Sequence, residues 1–294
     1  MSAEIKGPLM RRAAIASVGV ALFLVAIKAF AWVTSHSVAL LASPADSTLG
    51  LSVSLLNLLA IRHSLTPADA EHRFGHGKAE PLAGLAQATF IAASALFLIL
   101  ESVKRLLTPQ PVTNGGTALV VMGISIAATL GLVAYQRRVV ARTGSLAVAA
   151  DRLHYAGDLL GNLGVVAALL LAGFLGWLWA DPVIAIGVAL ILLQSAWEVA
   201  RQSLDQLMDR ELPDADRARI RAIAESFAAV KGGHNLKTRQ AGISTLIQFD
   251  IVLDGAMSLA QAHAVSDEVS AAIAAAWPGA QIVIHQDPEG QAQA

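Results

Sequence analysis

The chain has 294 residues, of which 55% are hydrophobic and only 15% charged, with a formal net charge of -1. Together with a mean hydropathy of +0.58, this points to an integral membrane protein, and the near-zero charge supplies no basic field for nucleic acid. Cysteine is absent, which excludes disulfides and thiolate metal sites and leaves His, Asp and Glu as the strong ligands.

Stretches of about 20 mostly apolar residues mark membrane spans, and the sequence predicts six, at 13–34, 38–62, 81–103, 117–136, 155–178 and 182–200. No small-residue cleavage site closes the first, so it is read as retained. Lys28 inside it either snorkels or pairs with a carboxylate of the bundle. The second span is the least apolar, being interrupted by Pro44, Asp46 and several Ser and Thr. A carboxylate at mid-helix costs at least about 2.5 kcal/mol, so Asp46 is expected to face the bundle interior, paired or metal-bound.

The next loop, "TPADAEHRFGHGKAEPL", places Asp69, His72 and His76 at spacings of three and four. One ion is within reach of all three if the loop is helical or tightly turned, and Gly75 and Gly77 permit close backbone approach. Incidental histidines on a solvated loop are the alternative. Near the start of the fifth span, "ADRLHYAGD" sets His154 and Asp158 at i and i+4, on one helix face. With Asp46 they offer one nitrogen and two carboxylates, a set suited to Zn²⁺ and acceptable to Fe²⁺, Mn²⁺ or Cd²⁺. Each alone is equally well explained as a hydrogen-bonding group between helices; three together in one small bundle favour a site, since intramembrane charge is rare. Asn57 and Gln194 read as interhelical hydrogen-bonding groups.

Basic residues set the orientation. Lys6, Arg11 and Arg12 precede the first span, Arg62, Arg73 and Lys78 lie between the second and third, and Arg137, Arg138, Arg142 and Arg152 between the fourth and fifth. The opposite side holds only Lys104 and Arg105, so both termini are expected in the cytoplasm.

Past about Arg210 the character changes, dividing the chain into a membrane domain over 1–210, a soluble domain over 211–290 and a disordered tail at 291–294. "ELPDADRARIRAIAESFAAV" carries Ile220, Ile223, Phe227 and Val230 at helical spacing. "STLIQFDIVLDG" alternates as a half-buried strand does, "SLAQAHAVSDEVSAAIAAAW" is amphipathic, and "HNLKTRQ" and "AQIVIHQD" read as further strands. The order α-β-β-α-β makes a small α+β domain of roughly 80 residues. On its last strand His285 and Asp287 share a face with Gln286 opposite. Asp250 lies on the polar face of the preceding strand, His234 begins another, and His263 borders the apolar stripe of the second helix. These residues converge on one or two ions or else are ordinary surface histidines; spacing alone slightly favours the latter.

"DSTLG", "FGHGKAEPLAGLAQ", "HYAGD" and "IHQDP", with "RRAAIA" at the start and "QAH" in the second soluble helix, together resemble the cation diffusion facilitator family, most closely its bacterial zinc and ferrous-iron efflux branch. The resemblance implies a homodimer in the bacterial inner membrane, with six transmembrane helices per subunit and a metallochaperone-like cytoplasmic domain, exporting divalent metal in exchange for protons. It implies a transport site at Asp46, His154 and Asp158, a loop site at Asp69, His72 and His76, and cytoplasmic ligands His234, Asp250, His263, His285, Gln286 and Asp287. Two positions depart from the pattern. Gly50 stands where a second aspartate follows the first by four residues, and Asp250 where the nearest relatives carry His. The resemblance also implies an ion pair at the dimer junction from Lys78 and Asp209. The missing ligand at Gly50 leaves open a transport-impaired metal sensor or scaffold. An intramembrane metalloenzyme finds no support, since no HExxH-type arrangement occurs in the spans.

Overall fold

The computed structural model describes residues 3–35, 42–107, 116–175, 177 and 179–290, with 42–46 and some other helix-end residues described in backbone only. It divides into two compact units, Gly7–Leu204 and a second comprising Asp205–Ala294 and Met1–Lys6.

The first unit is built from long helices: α1 (Ala3–Ser35), α2 (Ala42–Ser64), α3 (Ala79–Leu107), α4 (Gly116–Thr143), α5 (Leu146–Leu175) and α6 (Ala180–Leu207). Among the described residues four of them, α1, α3, α4 and α6, are long and apolar enough to cross a membrane. The other two, α2 and α5, carry the ionisable residues Asp46, His154 and Asp158. Large apolar side chains face outward throughout, among them Phe23, Phe30, Leu56, Phe97, Leu100, Ile191 and Trp197. In water such a surface would be costly, whereas hydrocarbon is indifferent to it. Inside, α3 and α6 pack through Ile91 and Ala95 against Val188, Ala189, Leu192 and Ala196, where the three alanines let the helices approach closely.

The helices run further than the apolar stretches that predict them. α5 begins at Leu146 rather than at 155, because hydropathy marks where lipid begins, and backbone hydrogen bonding continues beyond it. The tail at 291–294 lies outside the described residues.

The second unit follows the predicted order, with α7 (Asp214–Glu225), β1 (Gly232–Ala241), β2 (Ser244–Leu253), α8 (Leu259–Ala276) and β3 (Gln281–Pro288). The sheet order is β1-β2-β3, with β1 antiparallel and β3 parallel to the central β2. A short hairpin suffices for the first pairing; the parallel one needs a crossover, which α8 supplies. Ser258 caps α8 in a reciprocal box with Gln261. Ile247, Phe249, Ile251 and Leu253 of β2 bury against Ile220 and Ala224 of α7 and Val269 and Ile273 of α8, while Asp250, His285 and Asp287 fall on the other sheet face.

Ile251 is fully buried at the centre of this core. Ile251→Ala is expected to cost about 2–5 kcal/mol, read as a lowered urea midpoint of the segment beginning at Asp205 at unchanged slope.

Candidate metal centres

In the helical unit, His154 and Asp158 lie one turn apart on α5, with Nε2 and Oδ2 separated by 3.7 Å. That is too long for a hydrogen bond. It is close to the roughly 3.3 Å expected between two ligands each about 2.0 Å from a tetrahedral ion. His154 Nε2 is buried and accepts no hydrogen bond among the described residues. It points toward Gly50 of α2, where an added Cβ would stand 3.1 Å from it. A pocket between α1, α2, α4 and α5 includes Lys28, Ser47, Gly50, Thr129, His154 and Asp158 in its wall. Its space for the centre of a water molecule is about 20 Å³, room for an ion or a water but not an organic ligand. Asp46 lies in α2, one turn before Gly50, and its side chain is outside the described residues. Lys28 neither snorkels away nor stands idle, donating to Ser47 Oγ at 2.8 Å.

The loop between α2 and α3 is a tight turn, not a helix. Asp69 Oδ1 accepts from the backbone N–H groups of His72 (2.7 Å) and Glu71 (3.0 Å). Gly75 adopts φ +76°, a left-handed conformation that glycine enters without a Cβ penalty. The turn brings His72 Nδ1 within 3.4 Å of Asp69 Oδ1 and His76 Nε2 within 3.4 Å of Oδ2. His76 is buried, and its Nδ1 lies 3.4 Å from the Thr66 carbonyl. A proton on Nδ1 donates to that carbonyl and leaves the Nε2 lone pair for a metal, as ligand histidines are commonly oriented. The three side chains can present one donor atom each within 4.8 Å of one another. Ring contacts at 4.5 Å join His76 to both His72 and His63, and His63 is a neighbour that the spacing of the motif did not single out.

In the soluble unit the register aligns His234, Asp250 and His285 across the three strands. A bulge between His234 and Lys237, with Asn235 at φ +53°, turns His234 and lets Asn235 Nδ2 donate to Asp250 Oδ2 at 2.9 Å. His234 then presents Nδ1 to Asp250 at 3.7 Å and Nε2 to Asp287 at 3.2 Å, while His285 Nε2 reaches the other oxygen of Asp287 at 3.2 Å. His234, Asp250 and Asp287 form the second group able to gather donor atoms within 4.8 Å. Gln286, on the opposite sheet face, donates instead to Ser266 Oγ of α8 at 2.7 Å. His263 is exposed and pairs with Asp267 one turn on, at 3.6 Å. Neither joins the cluster within one chain. Gln194 is exposed and Asn57 is buried without a partner among the described residues, so the interhelical bonds expected of them are not seen.

Asp209, at φ +56°, accepts from Arg239 at 3.1 Å. The most buried carboxylate near the helical pocket, Asp151, was not singled out by spacing. It falls on the face shared by Tyr155 and Asp158, at i, i+4 and i+7, a pattern the sequence does display.

The profile of the cation efflux transmembrane domain matches residues 14–208, and that of the cation efflux protein cytoplasmic domain matches residues 212–289. The chain belongs to the cation efflux family. Family members are transporters, not enzymes. Cation-efflux pump FieF of Shigella flexneri serotype 5b is 44% identical over 282 residues, covering 96% of this chain and 94% of the relative. The Klebsiella pneumoniae protein of the same name matches with the same identity and coverage. Among solved structures, the chain is similar to CzrB in its zinc form, at 36% identity and a TM-score of 0.28 over 29% of this chain and 99% of that one. It is also similar to the metal-bound C-terminal domain of the CzcD transporter from Thermotoga maritima, at 26% identity and a TM-score of 0.26 over 27% and 93%.

The backbone N–H of His72, followed by that of Glu71, holds the Asp69 carboxyl below its ordinary range, outweighing the opposing effect of desolvation. A lowered carboxyl pKa contributes order that is present above the unfolded value of about 3.9 and lost as pH falls through the folded value. Protection of the Glu71 and His72 amides from hydrogen exchange, measured without metal, is therefore expected to persist from about pH 7 to 5 and to lapse only at more acidic pH. With metal, Asp69→Asn keeps an oxygen for the turn but loses the charged ligand, and is expected to weaken zinc binding by roughly tenfold or more.

Proposed function

We propose that this protein exports divalent metal ions, Zn²⁺, Fe²⁺, Cd²⁺ or Mn²⁺, by exchange with protons across the bacterial inner membrane. It would act as a homodimer whose subunits each cross the bilayer six times, with both termini in the cytoplasm. The observation that carries this reading is His154 Nε2, buried without a hydrogen-bond partner among the described residues and facing Asp158 and the Gly50 backbone inside a pocket of ionic size. An imidazole nitrogen desolvated in this way is costly unless it has a ligand. The family membership and the FieF pumps, nearly full-length relatives, supply the transport direction.

The transport ligands proposed are Asp46, His154 and Asp158. Metal binds deprotonated ligands, so binding and proton release are linked. On the metal-rich side the ion displaces a proton from His154 or a buried carboxylate; on the proton-rich side protons compete it off. Gly50 supplies no donor atom, but its missing Cβ leaves the approach to His154 Nε2 open, and water completes the coordination as in other open sites.

The loop site would be held by Asp69, His72 and His76. In the cytoplasmic domain His234, His285 and Asp287 are proposed as ligands. Asp250, whose carboxylate lies 3.7 Å from the second ring nitrogen of His234 and within reach of the same ion as His234 and Asp287, is proposed as a further ligand. His263 and Gln286 serve only if the partner subunit brings further donors to them.

A second reading, a metal-sensing dimer that does not transport, is favoured by Gly50 alone. Zinc flux into proteoliposomes under an imposed proton gradient separates the two. The transport reading expects gradient-dependent flux that His154→Ala abolishes and Gly50→Ala strongly reduces, since the new methyl would stand 3.1 Å from Nε2. Flux that appears only after Gly50→Asp would establish the sensing reading instead.

A further inference from the structure

Beside the pocket lies a buried polar network that the proposed ligand set does not use. Asp151 of α5 is 1% exposed. Its Oδ2 accepts from Gln136 Nε2 of α4 at 2.7 Å, and its Oδ1 from Gln87 Nε2 of α3 and Ser54 Oγ of α2, both at 3.4 Å. Gln136 Nε2 also donates to Ser17 Oγ of α1 at 2.9 Å. The Tyr155 hydroxyl stands 2.8 Å from Ser54 Oγ and donates to the Ser17 carbonyl at 3.1 Å. All of these residues are buried, and they come from five successive helices. The two amides and a hydroxyl turn donor atoms toward the carboxylate, so it is bound as an acceptor at the centre.

The position of this network along each helix is consistent. Ser17 precedes the pocket residue Ala21 by one turn of α1, and Asp151 precedes His154 and Tyr155 by one turn of α5. On α2 and α4, which run the other way, Ser54 follows Gly50 and Gln136 follows Thr129. The Asp151 carboxylate and its amide partners therefore lie about 5–10 Å from the middle of the pocket, toward the end of the bundle that carries the α4–α5 connection, while Tyr155 also lines the pocket wall. Beyond it in the same direction, Asn57 is 3% exposed with neither amide atom partnered among the described residues.

We infer that the Asp151 network is a polar gate, closing the pocket toward the end with the α4–α5 connection and parting when an ion moves between that end and His154. Its use in transport rests on the proposed function; the closure itself does not. Hydrogen bonds among buried groups are strong while water is excluded, yet each can be taken over by water when the helices separate, unlike an apolar plug that must be wetted. Asn57 is the next polar step along that route.

The chain has no cysteine, so Thr129→Cys on the pocket wall gives a single reporter in the reconstituted full-length protein. A membrane-impermeant methanethiosulfonate is applied from each side. Labelling from the α4–α5 end is expected to be slow, and to accelerate about tenfold, the factor for losing a hydrogen bond to a charged group, in Asp151→Asn or Gln87→Leu. Labelling from the other side stays the same. Exchanging the roles in the double variant Asp151→Asn with Gln136→Glu restores an amide–carboxylate pair and slow labelling. Gln87→Leu leaves the shorter Gln136 bond in place and serves should Asp151→Asn fail to fold. An unchanged rate in folded variants, or an equal increase from both sides, overturns the gate. Zinc flux, measured separately on the protein without the reporter cysteine, tests transport, so the two readings fail separately.

Discussion

In a bundle surrounded by hydrocarbon, a buried ionisable side chain is costly unless it finds a partner inside the protein or holds a ligand there. Most features of the helical unit follow from that constraint. Asp151 satisfies it with donors from α2, α3 and α4, and Lys28 with the Ser47 hydroxyl. Among the described residues His154 does not, because its Nε2 is buried and accepts no hydrogen bond. A carboxylate saturated with hydrogen bonds thus stands a single turn, on the same helix, from an imidazole left without one among the described residues, and this contrast is the basis for proposing His154, not Asp151, as the ligand.

The three candidate metal sites are built in different ways from the same side chains. The loop cluster is locked by backbone: the turn around Asp69 and the left-handed Gly75 fix its geometry before any ion arrives. The sheet cluster is fixed by strand register and a bulge, which aims His234 at two carboxylates. The pocket at His154 is the least constrained, bordered by the unsubstituted backbone of Gly50. Ions held for structure favour the rigid kind of site, and an ion that must leave favours the open kind.

Much of this was legible from spacing. Period-2 alternation in "STLIQFDIVL" identified β2, and the intervals among Asp69, His72 and His76, and between His154 and Asp158, identified side chains that do meet. What spacing could not supply was anything fixed by distant parts of the chain. Gln286 reaches Ser266 because α8 crosses over its face of the sheet, and His263 points away from the strands that were expected to share an ion with it. Asp151 escaped notice because apolar scanning begins the fifth span at 155, whereas the helix starts at Leu146. Its partners lie on separate helices, far apart in sequence.

The claim at the centre of this account is that His154 is a metal ligand within the helical bundle. X-ray absorption at the zinc edge tests it most directly, on full-length chain in which Asp69→Ala, His76→Ala, His234→Ala and Asp287→Ala remove the other centres. The account predicts bound zinc with one imidazole and otherwise oxygen ligands, at bond lengths of about 2.0–2.1 Å, and loss of the imidazole signature on His154→Ala. A chain that binds no zinc once those centres are gone, or a spectrum that His154→Ala leaves unchanged, would contradict it.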